Sequence, residues 1–431
     1  MQTDNNIKYR PAGSAVIYEL NVRQLTPEGT FRAAIPHLDT LHRTGVDIVW
    51  VMPPYPIGEE NRKGALGSYY SVRDYCAINP EFGSIDDFDA FVARAHKLGI
   101  RVILDWVANH TSRDARWLAE KPADWYERNA DGSPVVPFDW TDTAKLNYAN
   151  REVWQGQLDA MLWWVRDHDV DGFRCDMAML VPIEFWQFVR AGLEAVRPDI
   201  FMLAEAEGTE FFDRAFDVCY AWRLHHLFCD VAKSRCRIDA VRRYLYEDFA
   251  QYPQSALRMM FTSNHDENSW NGSEFARLGD AADAMAVFTF LLPASVPLIY
   301  TGQEFGYDHS FAFFERDPLP DLEPNAFTDL YRRLADLRHS NPALWAGTDG
   351  GDFIEIRNNA EDCMLSFARS NGDNRVVCLL NLSPYTIQAD FDTGIYAGDY
   401  TDALNGSRYA LPSHIDTYFA PWEYKILVKK V

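Results

Sequence analysis

The chain has 431 residues and a formal net charge of −22, with 47% apolar and 24% charged residues. This length allows two domains and a large buried core. The excess of acidic over basic residues argues against nucleic acid or an anionic membrane as a partner, because phosphate binding needs clustered lysine and arginine.

Eight short β-rich runs alternate with amphipathic helical patterns through the first three quarters of the chain. The predicted strands are Ala15–Glu19, Val46–Met52, Arg101–Trp106, Gly172–Asp176, Phe201–Glu205, Val218–Trp222, Arg258–Thr262 and Pro297–Tyr300. Alternation with helices implies parallel pairing, and eight such units favour a closed (β/α)8 TIM barrel.

Helical spacing of apolar residues predicts helices such as Ile85–Leu98 and Glu152–Asp167. The most apolar stretch, 284–300, contains two prolines, so we interpret it as a buried helix followed by a strand and not as a membrane span. The long interval after the third strand, residues 107–150, is rich in Trp, Pro, Asp and Asn and predicts a short, ordered loop subdomain.

The pattern changes after Leu344, where alternating or apolar runs are separated by Asn-Gly and Ser-Pro turns. These features predict a C-terminal antiparallel β domain. We therefore expect a catalytic barrel over residues 1–344, including the loop subdomain, and a β domain over 345–431.

The seven cysteines are odd in number and form no Cys-x-x-Cys pair, which is typical of buried thiols in a reducing compartment. The segment Met1–Asn6 is polar and lacks the apolar core of a signal peptide. A cytoplasmic location is the expectation if the sequence is that of the unprocessed gene product.

Four polar segments follow predicted strands at their carboxyl ends, where barrel enzymes place catalytic groups. They are Asp105–His110, Gly172–Asp176, Leu203–Glu205 and Asn264–Asp266. In the second segment, Arg174 and Asp176 are two residues apart on a strand and therefore share a face. The guanidinium favours the ionised carboxylate that a nucleophile requires, although the pair taken alone favours a structural ion pair inside the barrel.

Glu205 ends an apolar run, so its carboxyl group should be poorly solvated and its pKa raised. Two neighbouring carboxyl groups with pKa values pushed apart are what glycoside cleavage needs. The alternative role of Glu205 is to cap the next helix. His265 and Asp266 could form a metal pair, but no further His or Cys has ligand spacing, so hydrogen bonding to sugar hydroxyls suits them better.

These four segments, in this order and spacing, resemble the signature regions of the α-amylase family (glycoside hydrolase family 13), and the similarity covers nearly the whole chain. The resemblance implies that Asp176 is the nucleophile, Glu205 the general acid/base and Asp266 a third carboxylate that holds substrate hydroxyls. It further implies that Arg174 positions the nucleophile with Asp105 as its hydrogen-bonded partner. His110, His265 and Tyr70 are implied to hold the sugar in the cleavage subsite.

Departures from the family pattern narrow these expectations. Ser71 stands where the family usually has Asp, beside Tyr70. Many α-amylases have Lys and His at the positions of Met179 and Leu180, where they hold the leaving-group sugar. This apolar pair and the short loop subdomain favour short oligosaccharides over polymeric starch as substrate.

A calcium site common among α-amylases is not expected here, and no cofactor or metal is expected. The Asn ligand survives as Asn109, but Lys145 occupies the position of the ligand Asp. An ammonium in place of a carboxylate removes a ligand and repels the ion. We expect Lys145 either to contact carbonyls, Asp139 or Asp142 near the vacated position or to face solvent.

The expected function by this reasoning is that of a retaining hydrolase of α-glucosides or α-linked oligosaccharides. A transglycosylase or sugar isomerase on the same fold is the first alternative, and product analysis with an acceptor sugar separates the two. A non-catalytic, amylase-like binding subunit is the second alternative, and the three carboxylates argue against it. The sequence leaves the linkage, endo or exo action and oligomeric state open.

Overall fold

A computed structural model describes residues 9–430 of the chain. The polar segment Met1–Asn6, which entered the localisation prediction, lies outside the described residues. Two compact units make up the described part. The first comprises Tyr18–Tyr220 and Phe311–Leu322 with Tyr9, and the second comprises residues 10–17, 221–310 and 323–430. The predicted boundary between residues 344 and 345 lies within the second unit and stays a prediction.

Ten strands precede residue 301 in the described chain. They are β1 (Ile17–Leu20), β2 (Ile48–Val51), β3 (Arg101–Val107), β4 (His110–Ser112), β5 (Thr143–Lys145), β6 (Gly172–Asp176), β7 (Phe201–Ala204), β8 (Val218–Tyr220), β9 (Leu257–Met260) and β10 (Ser295–Tyr300). Eight of them close a barrel in the order β1-β10-β9-β8-β7-β6-β3-β2. The barrel prediction is confirmed, and each predicted strand overlaps an observed one.

The helices within residues 9–430 lie mostly between these strands. They are α1 (Val22–Leu25), α2 (Phe31–Ala34), α3 (His37–Thr44), α4 (Ile85–Lys97), α5 (Arg116–Glu120), α6 (Arg151–Asp167), α7 (Ile183–Glu194), α8 (Trp222–Ala232), α9 (Ile238–Gln251), α10 (His265–Asn271), α11 (Glu274–Leu278), α12 (Ala282–Leu291) and α13 (Ala326–Ser340). None of these described helices combines the length and apolar composition that a membrane crossing needs.

Local sequence accounts for where these helices begin and end. Helix α4 starts at a capping box, in which the Ser84 side chain accepts from the Asp87 amide and the Asp87 carboxylate accepts from the Ser84 amide. Helix α3 ends at Gly45, whose φ of 88° favours glycine. The apolar stretch 284–300 contains most of helix α12 followed by strand β10, as predicted.

The interval between β3 and α6 is an ordered excursion, as the aromatic content predicted. Strands β4 and β5 pair antiparallel, with His110 opposite Lys145. Beneath this hairpin lies a small core that includes Trp125, Tyr126 and Leu146. The loop subdomain therefore has a small hydrophobic core of its own, which stabilises the residues that follow β3.

The C-terminal part of the second unit is antiparallel β structure, as predicted. Its strands are β11 (Asp352–Glu355), β12 (Met364–Asn371), β13 (Asn374–Asn381), β14 (Ile387–Asp392), β15 (Gly398–Asp402), β16 (Arg408–Leu411), β17 (His414–Phe419) and β18 (Tyr424–Lys430). Among the described residues, six form a sheet in the order β11-β12-β13-β18-β15-β16, and β14 pairs with β17. An apolar cluster that includes Leu379, Ile415 and Leu427 forms the core of this region.

Candidate active site

Strand β6 carries the two charged residues around which the site of the first unit is built. Arg174 and Asp176 point to the same face because side chains alternate along a strand. Strand β3 pairs in parallel with β6 and sets Asp105 beside Arg174. Glycine is required at the start of β6, since a Cβ at Gly172 would lie 2.0 Å from the Phe201 carbonyl oxygen.

The guanidinium of Arg174 is fully buried and binds the carboxylates of Asp105, Asp176 and Glu205. Its Nη1 donates to Asp105 Oδ1 at 2.9 Å and to Asp176 Oδ1 at 3.0 Å, and Nη2 donates to Glu205 Oε2 at 2.8 Å. Burial by itself lowers the pKa of Arg174, but Asp105 and Glu205 help to raise it well above its ordinary value. The permanent cation in turn favours the ionised form of Asp176.

Glu205 follows strand β7 directly and is 5% exposed, so the predicted desolvation is present. Its Oε2 accepts hydrogen bonds from Arg174 and from the Met177 amide, both at 2.8 Å. Met177 has a φ of 43°, a left-handed conformation that comes directly after β6. The bond from Arg174 was not predicted and favours the carboxylate, which opposes the effect of burial. A raised pKa for Glu205 therefore stays a prediction.

Asp105 connects the carboxylate cluster to Trp50 on β2 and to Tyr70. Its Oδ2 accepts from the hydroxyl of Tyr70 and from Trp50 Nε1, each at 3.1 Å. Tyr70 in turn stacks on Phe313, with ring centroids 6.3 Å apart and an interplanar angle of 12°. These contacts bring Tyr70 and Asp105 to the same cluster as Arg174.

Aromatic rings enclose the guanidinium, and two of them were not predicted from the sequence. The Arg174 carbon Cζ lies 4.8 Å from the ring centre of Trp50 and 5.5 Å from that of Tyr220. The Tyr220 hydroxyl also accepts from Arg174 Nε at 3.1 Å. Only a weak sequence pattern marked Trp50 and Tyr220: each is an aromatic residue with a polar atom inside an otherwise apolar strand.

His110 begins strand β4, close to the end of β3, and is almost fully buried. Burial lowers its pKa to about 4, so the imidazole is neutral at physiological pH. Asn109 Nδ2 lies 3.1 Å from His110 Nδ1, which must accept because an amide nitrogen only donates. The imidazole ring also lies 5.1 Å from the ring of Trp140.

His265 and Asp266 belong to the second unit, where they start helix α10 soon after β9. The Asn264 side chain caps this helix by accepting from the Glu267 amide at 2.8 Å. His265 Nε2 lies 3.3 Å from Asp266 Oδ2, and the Asp266 side chain is 37% exposed. Across the described residues, no group of His, Cys, Asp and Glu side chains has an arrangement that could hold a metal ion.

A buried ion pair lies next to this helix start and was not predicted. Glu267 Oε2 lies 3.2 Å from His225 Nε2 and 3.9 Å from Arg277. Burial raises the pKa of Glu267, but the hydrogen bond and charge of His225 outweigh burial and bring it to about 2. Arg277 also donates to the Thr262 carbonyl and the Ser263 hydroxyl, which fixes the segment that leads to His265.

Comparison with known proteins agrees with this geometry. Residues 3–346 match the family described as "Alpha amylase, catalytic domain", and residues 355–415 match "Alpha amylase, C-terminal all-beta domain". The chain belongs to the α-amylase family of glycoside hydrolases.

Individual relatives support the assignment of this chain to the α-amylase family. The "Alpha-amylase MalA" of Haloarcula japonica is 30% identical over 415 residues, which are 92% of this chain and 59% of that protein. A maltogenic α-amylase of Thermotoga neapolitana has a crystal structure that is 29% identical, with a TM-score of 0.88 over 97% of this chain and 99% of that one. An α-amylase structure from Lactobacillus plantarum gives 29% identity and a TM-score of 0.86 over 97% of this chain and 99% of that one.

Lys145, which occupies the position of a family calcium ligand, forms an ion pair in the structure of this α-amylase-family chain. Its Nζ lies 2.8 Å from Glu127 Oε1, and the two side chains are 33% and 40% exposed. The predicted contact with carbonyls, Asp139 or Asp142 is therefore wrong, as is a lysine that only faces solvent. Glu127 is close because main-chain hydrogen bonds hold it beside the strand that carries Lys145.

Two further family positions differ in this chain. Met179 and Leu180 lie in a short 3-10 helix, Ala178–Leu180, just after Asp176 and Met177. The Met179 side chain is 44% exposed. An exposed apolar residue near the carboxylates cannot donate the hydrogen bonds that Lys or His would give to a sugar hydroxyl.

Proposed function

We propose that the chain is a retaining α-glycoside hydrolase that acts on short α-glucans by double displacement. One observation carries this proposal: a single buried guanidinium, that of Arg174, binds both Asp176 and Glu205. The two carboxylates are thereby held close together after neighbouring parallel strands. Retaining glycosidases require carboxyl groups about 5–5.5 Å apart.

In the first step, a carboxylate oxygen of Asp176 attacks the anomeric carbon, and Glu205 gives its proton to the departing glycosidic oxygen. The bond to the leaving sugar breaks and a glycosyl ester of Asp176 forms. Arg174 and the Met177 amide fix the orientation of the Glu205 carboxyl group through Oε2. Arg174 also keeps Asp176 ionised until it attacks.

In the second step, Glu205 takes a proton from water as the water oxygen attacks the same anomeric carbon. The ester bond breaks, Asp176 is released as a carboxylate, and the product keeps the α configuration after two inversions. We assign Asp266 the role of the third carboxylate, which holds substrate hydroxyls. Tyr70, His110 and His265 are proposed to bind the sugar at the cleavage position, with Asp105 and Arg174 as positioning residues.

Short α-glucans are the proposed substrates, because apolar Met179 and Leu180 replace polar family residues and because the loop subdomain is short. The names of relatives agree with this proposal, since they include a cyclomaltodextrinase and an intracellular maltogenic amylase. The match covers 59% of the length of the Haloarcula relative. The activity and substrates of this chain are therefore proposed from its own residues and not taken from that protein. No metal or other cofactor takes part in the proposed reaction.

A cytoplasmic location is part of the proposal. All seven cysteines lie in the described part of the chain, and none of them forms a disulfide. Cysteines without disulfides are typical of a reducing compartment. The proposed domain boundary remains between residues 344 and 345, near the end of the matched catalytic region at residue 346.

The deciding experiment follows the anomeric proton of the first product by NMR. Initial release of the α-anomer is expected, and initial release of the β-anomer would refute double displacement. The same measurement with an acceptor sugar present tests the transglycosylase alternative, because transfer would yield longer oligosaccharides at the expense of free sugar.

Two variants test the assigned roles. Asp176→Ala should abolish turnover of every substrate. Glu205→Gln should abolish turnover of natural α-glucans but retain the first step on glycosides with activated leaving groups, which need no proton at the leaving oxygen. Near-wild-type turnover by Asp176→Ala would refute the nucleophile assignment.

Asp171→Asn is the matched control, because Asp171 is a buried carboxylate at the other end of the same strand. It binds His96 at 2.8 Å and the Val102 amide at 2.7 Å. The substitution should lower the melting temperature and leave the specific activity of the folded protein within about twofold.

A further inference from the structure

The part of the loop subdomain that precedes strand β5 presents an unusual aromatic residue to solvent. Phe138 is 67% exposed, although most phenylalanines are buried. Its φ of 53° lies in the left-handed region, which costs a residue with a side chain about 1 kcal/mol. Neither burial nor backbone preference explains a phenylalanine at this position.

Phe138 begins a continuous row of rings that ends at a predicted site residue. Its ring centre lies 4.9 Å from that of Trp140, which lies 5.1 Å from the imidazole of His110. We call Phe138, Trp140 and His110 the aromatic ledge. Exposure decreases along it, from exposed Phe138 through half-buried Trp140 to buried His110.

The backbone that carries the ledge is held from several sides. The Thr143 hydroxyl donates to the Trp140 carbonyl at 2.8 Å, and Asn61 Nδ2 donates to the Thr141 carbonyl at 3.3 Å. The Ser71 hydroxyl donates to the Asp142 carbonyl at 2.9 Å, and Asp142 pairs with Lys63 at 3.5 Å. Phe138 is therefore presented by a braced turn and not by a freely moving loop.

Ser71 and Tyr70 connect this brace to the carboxylate cluster. Ser71 holds the Asp142 main chain, while its neighbour Tyr70 donates to Asp105 in the cluster around Arg174. A glucose ring has apolar C–H faces that can stack on an aromatic ring. A partly solvent-exposed aromatic side chain binds such a face at low cost in conformational entropy, because it has few rotatable bonds. The exposed Phe138 end of the ledge thus offers a surface on which a sugar ring can stack.

We propose that Phe138 and Trp140 form a binding platform for a glucosyl unit of an α-glucan substrate beyond the sugar that is cleaved, so that Phe138 sets the preference for chain length. This inference rests on the proposed α-glucan hydrolase activity and deepens it. Stacking of a sugar on the Phe138 ring would give this exposed side chain and its left-handed backbone a function in binding.

The test compares kcat/KM for maltohexaose with kcat/KM for maltose in wild type and Phe138→Ala. The ratio of the two values should fall about threefold to tenfold in the variant, which is the loss expected for one aromatic contact. The change should appear in KM for maltohexaose and not in kcat. Phe138→Tyr should restore the ratio, whereas Phe138→Leu should restore only part of it, since stacking needs a flat ring.

Two controls separate substrate binding from a structural role. Tyr418 on β17 has the same 67% exposure, and Tyr418→Ala should leave the ratio unchanged. Phe138→Gly relieves the left-handed backbone, so it should lower the ratio like Phe138→Ala while keeping the wild-type melting temperature. A fall of more than about 5 °C in Phe138→Gly would assign the ring to folding and overturn the proposal.

Failure of the Phe138 platform and failure of the proposed hydrolase activity give different results. An unchanged ratio in Phe138→Ala, with wild type active on both substrates, overturns the platform and leaves the proposed hydrolase intact. A wild-type chain that cleaves no α-glucan refutes the proposed function and the platform with it.

Discussion

Two buried arginines, one in each compact unit, show how differently the chain uses the same side chain. Arg174 on β6 and Arg369 on β12 are both fully buried. Arg174 binds carboxylates, and its pKa lies well above the ordinary value. Arg369 donates instead to main-chain carbonyls, those of Leu291 at 3.0 Å and Trp345 at 2.8 Å among them. Burial lowers the pKa of Arg369 to about 10.

The comparison separates an electrostatic role from a structural one. Carbonyl oxygens satisfy the donors of Arg369 but only partly offset the cost of removing its charge from water. The carboxylates around Arg174 offset that cost, and their hydrogen bonds to the guanidinium orient them. A buried arginine therefore indicates chemistry when its partners are acidic groups after barrel strands, and indicates structural support when its partners are carbonyls.

The largest expected effect comes from removing the cation of the carboxylate cluster. Arg174→Met leaves Asp105, Asp176 and Glu205 buried without their shared partner. The free energy of unfolding should fall by about 3–5 kcal/mol, as for other broken buried pairs, and kcat should fall by about a thousandfold or more. Denaturant unfolding and steady-state kinetics at pH 7 measure both.

Arg174→Lys is the control for this variant. It restores the charge, but one ammonium cannot make the two-pronged contact to Asp176 and Glu205. Stability should recover in part while kcat stays low. If Arg174→Met kept wild-type kcat, the cluster would be structural, like the surroundings of Arg369.

The next effect concerns a buried carboxyl group whose hydrogen-bond partners are neutral. Glu274 accepts from Gln303 Nε2 at 2.9 Å, and burial raises its pKa to about 7. A raised carboxyl pKa means that stability is highest below the unfolded value near 4.5 and is lost as pH rises through 7. The loss should be about 3 kcal/mol.

Glu274→Gln removes this titration. The difference in melting temperature between wild type and variant should move in favour of the variant as the pH is raised from 4.5 to 8. Thermal scans across that pH range give the measurement. A constant difference would mean that Glu274 is already ionised in the folded protein at pH 4.5.

Arg369→Met should affect stability alone. The substitution leaves carbonyls without a donor but also removes a poorly compensated charge, so the net loss should be about 2 kcal/mol. The kcat/KM on a maltooligosaccharide should stay within about twofold of wild type. A hundredfold loss of activity in folded Arg369→Met would contradict the structural role.

The smallest effect is expected at the exposed ion pair of the loop subdomain. Lys145 and Glu127 are 33% and 40% exposed, so solvent screens their attraction. Lys145→Ala should cost less than about 1 kcal/mol. Chelator should change neither the activity nor the melting temperature of wild type. Activity that is lost to chelator and restored by Ca²⁺ would contradict the absence of a calcium site.

Much of the fold was predictable because it depends on local patterns. Apolar runs of strand length marked all the barrel strands to within about three residues at each end, a precision typical of element boundaries. The parallel order placed the polar segments after the strand ends. The two-residue period of β6 was enough to predict that Arg174 and Asp176 share a face.

Tertiary structure alone decided how far the long side chains reach and which partners they meet. Arg174 also binds Glu205, Lys145 meets Glu127 and not Asp139 or Asp142, and His225 pairs with Glu267. The left-handed backbone at Phe138 is likewise absent from any sequence pattern. Strand and helix periods fix the direction of a side chain, but a contact between residues distant in sequence depends on the packing of whole elements.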